Sequence, residues 1–176
     1  MQVSNDIDRR SMTWRTSISF AVLATLVVLL IGYLTSAGLL PIRQTIGLEG
    51  GELQFMSEWM KAAIAIGIIL PAVTFAVGFK QPKLRKILGF YFLLLGVQIL
   101  TEQIVSQTWM PSLVVSVGTL YTLFRVWQLR QGLQLMQINS RQSARYSLLK
   151  SAIWLMFCFW VSNLAVLLVL AWPSVL

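Results

Sequence analysis

The sequence predicts an all-α integral membrane protein, a bundle of about five transmembrane helices in which the third and fourth form a hairpin. Three observations carry this. The 176 residues are 57% apolar and 11% charged, with mean hydropathy +0.74, whereas soluble domains average about 25% charged. Five stretches meet the requirement of about 20 apolar residues for crossing a hydrocarbon layer of about 30 Å, and none alternates as a barrel strand would. The third observation is where the charge falls. Twelve of the fourteen basic residues lie on alternate connections: Arg9, Arg10 and Arg15; Lys80, Lys83, Arg85 and Lys86; Arg125, Arg130, Arg141, Arg145 and Lys150. Arg43, Lys61 and all four glutamates fall on the other side.

By the positive-inside rule that asymmetry puts the N-terminus in the cytoplasm and the C-terminus across the membrane. The net charge of +8 is therefore read as a topology signal, with membrane lipids as partners and no nucleic acid. The whole chain, 1–176, is expected to be one transmembrane domain, with spans at about 16–40, 57–79, 84–107, 109–128 and 147–172.

Taken in order, residues 1–14 are a polar cytoplasmic tail too poor in apolar groups to order itself, with Trp14 marking the interface. The first span has an apolar run too long for a signal-peptide core of 7–15 residues and reads as an uncleaved anchor. Between Ser36 and Met56, Pro41, Gly47, Gly50 and Gly51 break the chain. Leu39, Leu40, Ile42 and Ile46 suit a short interfacial helix. In the second span, Ala65, Ala72 and Ala76 form a small-residue face for close helix packing, and Pro71 predicts a kink near Gly67.

The third and fourth spans hold most of the polar candidates. Tyr91, Gln98 and Glu102 recur at steps of seven and four, within about 40° on one helix face, and should point into the bundle because lipid exposure is costly. A short turn makes the next helix an antiparallel neighbour, so its hydroxyl stripe, Ser112, Ser116 and Thr119, is expected to cover Gln98 and Glu102. Tyr121, Arg125 and Gln128 occupy the opposite face, where Arg125 is expected to snorkel to the headgroups. Lys61 and Arg43 are the cations within sequence reach of Glu102. From Gly132 to Tyr146 the chain reads as a polar cytoplasmic loop, its early part able to extend the fourth helix past the membrane. In the fifth span Ser151, Cys158, Ser162 and Ala165 form a second close-packing stripe, and Asn163, at mid-membrane, requires a hydrogen-bond partner.

The absence of histidine removes His-ligated haem, His-based zinc or di-iron sites and Ser-His or Cys-His nucleophiles. One cysteine allows neither an intrachain disulfide nor a CxxC couple, and no glycine-rich segment matches a phosphate loop. No cofactor, metal or catalytic site is expected. The residues predicted to carry an interaction or a polar pathway are Glu102, Gln98, Tyr91, Ser112, Ser116, Thr119, Arg125 and Asn163. The expected role is a non-enzymatic accessory, assembly or structural subunit of a larger membrane complex, with other membrane subunits or a second copy as partner. The alternative is a small oligomeric transporter or channel.

Overall fold

A computed structural model describes residues 14–137 and 144–176, and they are helical with no strand among them. Residues 1–13 of the expected tail, the Trp14 side chain, and residues 138–143 of the expected polar loop lie outside that description. Five helices follow in order: α1 (Trp14–Ser36), α2 (Gly51–Gly78), α3 (Pro82–Thr108), α4 (Leu113–Gln137) and α5 (Ala144–Val166). A π-helical turn, Ala65–Ile69, interrupts α2, and another, Leu167–Ala171, extends α5.

The helix ends have local causes. Gly38 adopts φ 71°, and the amides of Gly38 and Leu39 bond the carbonyls of Thr35 and Leu34. This is a Schellman cap, and it stops α1 at Ser36, short of the expected residue 40. Pro82 opens α3 in the first turn, where its missing N–H costs nothing. The α2 helix begins six residues before the expected span. At about 1.5 Å per residue its 28 residues exceed the thickness of a hydrocarbon layer.

Among the described residues four helices are long and apolar enough to cross a membrane: Arg15–Ser36, Gly51–Gly78, Pro82–Thr108 and Tyr146–Ala171. The exception is α4, and its position explains why. It packs against α1, α3 and α5 together, and its Ser116, Thr122, Arg125 and Gln128 are buried. A helix walled in by its neighbours can carry polar groups that an outer helix cannot. The outer helices show the complement, with Leu23, Leu26, Leu100, Leu148 and Val169 among many large apolar side chains turned outward.

Both predicted small-residue stripes lie on the outside. Ala65, Ala72 and Ala76 are exposed, and so are Ser151, Cys158, Ser162 and Ala165. The face of α2 that packs inward is Gly67, Pro71, Thr74 and Gly78. Here glycines do what the alanines were expected to do: a Cβ at Gly67 would meet Trp160 Cζ2 at 2.9 Å, and one at Gly78 would overlap Leu84 Cδ2. On α5 the inward side is Leu149, Ile153, Met156, Phe159 and Trp160, bulky residues that fill the main core with Leu84, Leu88 and Tyr91.

The expected interfacial helix after α1 is absent, and Leu39 to Ile46 is irregular. Its amides are bonded elsewhere, Arg43 N–H to the Val175 carbonyl at 2.7 Å and Gly47 N–H to the Ser174 carbonyl at 3.0 Å. The Gln44 carbonyl accepts from the Ser112 amide. One end of the bundle is thus a layer in which the long connection, the α3–α4 turn and the C-terminus are tied together. That end also carries Glu49, Glu52 and Glu58, and Arg15, Lys80, Lys83, Arg85, Lys86, Arg130 and Lys150 lie toward the other.

Candidate functional site

The α3–α4 hairpin runs antiparallel, and its seam on α4 is Gly118, Tyr121, Arg125, Gln128 and Gly132, recurring at three and four residues. The approach is tight at Gly132, where a Cβ would lie 3.0 Å from Ile87 Cγ2, while one at Gly118 would make ordinary contact with Glu102 Oε1 at 3.8 Å. Between them Gln128 Nε2 donates to the Ile87 carbonyl at 3.3 Å. The face predicted to lie opposite α3 is therefore the one that meets it. Since α4 begins only at Leu113, the register places Glu102 beside Gly118 rather than Ser112 or Ser116.

At the middle of this seam Arg125 is buried to 1% exposure. Instead of reaching headgroups, its Nη2 donates to Gln98 Oε1 at 2.6 Å, and Gln98 Nε2 donates to Glu102 Oε1 at 2.7 Å. The guanidinium dictates the amide's orientation, because reversed it would turn N–H groups on N–H groups. Gln98 therefore bridges the Arg125 guanidinium and the Glu102 carboxyl group, which are not in direct contact, each bond polarising the other. Neither cation within sequence reach of Glu102 serves it: Lys61 pairs with Glu58 at 2.6 Å on the surface, and Arg43 lies in the end layer.

Two aromatic faces complete the lining around Arg125. Its guanidinium carbon lies 4.0 Å from the Trp160 ring centroid and 5.1 Å from that of Tyr91, within cation–π range. Trp160 Nε1 donates to the Tyr91 hydroxyl at 3.0 Å, and that hydroxyl donates to the Gly67 carbonyl at 2.6 Å. Gly67 is four residues before Pro71, which has no N–H to give it. A defect in α2 thus becomes the anchor of Tyr91, and the absent side chain at Gly67 makes room for the indole. The Pro71–Gly67–Tyr91–Trp160–Arg125–Gln98–Glu102 network spans α2 to α5.

Asn163 has two intramolecular partners, accepting from Trp59 Nε1 at 2.8 Å and donating to Thr122 Oγ1 at 3.2 Å. It joins α2, α4 and α5. Thr119 donates to the Val115 carbonyl and accepts from Trp172 Nε1 at 2.9 Å, so it faces the end of α5. Ser112 and Ser116 are buried, with Ser112 joined through its backbone to Gln44. Of the eight candidates, Tyr91, Gln98, Glu102 and Arg125 form one cluster. The other four do not join it.

Sequence reasoning missed Trp160, Gly118 and Trp59, and it named Gly67 only as the place of the Pro71 kink. The further signal there was the carbonyl that Pro71 leaves without a partner. Among the described residues no three His, Cys, Asp or Glu side chains gather as a metal site would require. The cluster joins four helices around one buried arginine. No protein-family model, curated protein or solved structure matches this chain.

Proposed function

We propose that this protein is a five-span integral membrane protein with a cytoplasmic N-terminus, acting as a non-catalytic accessory or assembly subunit of a larger membrane complex. The observation that carries this is where the small residues point. Membrane helices associate through small side chains that let backbones approach. Here the alanine stripe of α2 and the serine, cysteine and alanine stripe of α5 lie on the outside, while glycines serve the internal contacts. Those two stripes are suited to a helix from another chain.

The transport reading has less support. The groups that could have lined a path, Tyr91, Gln98 and Arg125, are buried and bonded to one another or packed against aromatic rings. Glu102, half-buried, is tied to Gln98.

Purification in mild detergent with quantitative co-purification tests the proposal. Ala72→Leu and Ser162→Leu should each reduce recovery of associated membrane subunits several-fold while leaving the helical content of the isolated chain unchanged. Glu102→Gln should leave recovery intact. If only copies of this chain associate, and Glu102→Gln abolishes solute flux in vesicles without altering association, the oligomeric transporter replaces the subunit.

A further inference from the structure

A second feature lies at the basic end of the bundle, on the outer side of α3. A groove there is lined by Pro82, Arg85, Lys86, Gly89, Phe90 and Leu93. Its polar rim is made of two exposed cations, and its floor is apolar. Gly89 opens it, since a Cβ built there would meet no atom within 4 Å, and Gly96, two turns further along, is equally open. Arg85 already rests its guanidinium 5.4 Å from the Phe79 ring, which holds the charge near the mouth. No carboxylate lies at this end among the described residues, whose one ion pair, Lys61 with Glu58, sits toward the other. Among the described residues Arg85 and Lys86 have no carboxylate partner.

We propose that this groove binds one acidic phospholipid, with Arg85 and Lys86 on the headgroup phosphate and an acyl chain laid over Gly89 against Phe90 and Leu93. Charge complementarity selects the headgroup, and the apolar floor running on from the cations selects a lipid over a free anion. Clusters of Lys and Arg beside a membrane span attract acidic lipids in general; the groove makes the attraction local. The inference rests on the membrane reading above.

Alkaline carbonate extraction of the full-length chain comes first, because release from the membrane would sink the membrane reading itself. For retained protein, native mass spectrometry with added phosphatidylglycerol or phosphatidylcholine reads the site. Phosphatidylglycerol should bind at least tenfold more tightly, and millimolar inorganic phosphate should not displace it. Arg85→Gln with Lys86→Gln should lower phosphatidylglycerol binding about tenfold. Gly89→Leu should do so with both cations in place. Equal binding of the two lipids would overturn the site. So would wild-type binding by Gly89→Leu, or an equal loss on changing Lys80 and Lys83 to Gln, which would indicate diffuse attraction.

Discussion

At the scale of single residues, the burial of Arg125 is the fact that most needs a cause. A buried charge is costly unless paired and hydrogen-bonded, and here, among the described residues, the side-chain acceptor bonded to the guanidinium is the Gln98 amide. Breaking one member of such a network typically costs about 3–5 kcal/mol, whereas replacing the set with apolar groups of similar size is often neutral. Gln98→Leu should therefore lower the unfolding midpoint in detergent sharply, and adding Arg125→Met should restore most of the loss. If the double variant is no more stable than the single, aromatic packing holds this region and the hydrogen bonds through Gln98 do not. The Tyr91, Gln98 and Glu102 face was legible from its period alone. The place of Arg125 was not, because period fixes which residues share a face but not which neighbour that face meets.

At the scale of elements, the same limit explains both small-residue stripes. Alanine at helical spacing marks a face where close approach is possible, yet in α2 the tighter approaches use Gly67 and Gly78, which admit Trp160 and Leu84 against bare backbone. The Pro71 irregularity was expected near Gly67, and it takes the form of a π-helical turn, Ala65–Ile69, a rare element found where the α-helical hydrogen-bond ladder is interrupted. What sequence could not supply was the group that fills the vacancy. Tyr91→Phe removes the donor to Gly67 and the acceptor for Trp160, a loss of about 1–2 kcal/mol by the measured worth of interhelical hydrogen bonds in membranes. Pro71→Ala restores an N–H beside the Gly67 carbonyl. In that background Tyr91→Phe should cost measurably less, with a coupling of at least about 0.5 kcal/mol in a double-mutant cycle. Strict additivity would mean that the tyrosine is not standing in for the missing backbone bond.

At the scale of the whole molecule, the charge asymmetry read along the chain becomes a spatial one. Five helices, each antiparallel to the one before it, bring Arg15, the Lys80 to Lys86 cluster, Arg130 and Lys150 to one end. The opposite end is closed by backbone bonds from Arg43 and Gly47 to Val175 and Ser174. A membrane potential and an acidic inner leaflet both favour retaining the basic end in the cytoplasm, so the C-terminus and the 37–50 connection should be external together. Single cysteines report this once the exposed native thiol is removed by Cys158→Ser. Glu49→Cys and Leu176→Cys should react with a membrane-impermeant maleimide added to intact cells. Ser11→Cys, Gln81→Cys and Gln137→Cys should react only after permeabilisation. Because Gly47 and Ser174 are bonded to each other, labelling at 49 and 176 must agree. Disagreement would break the end layer, and joint protection of both with external reaction at 81 would invert the orientation while leaving the bundle intact.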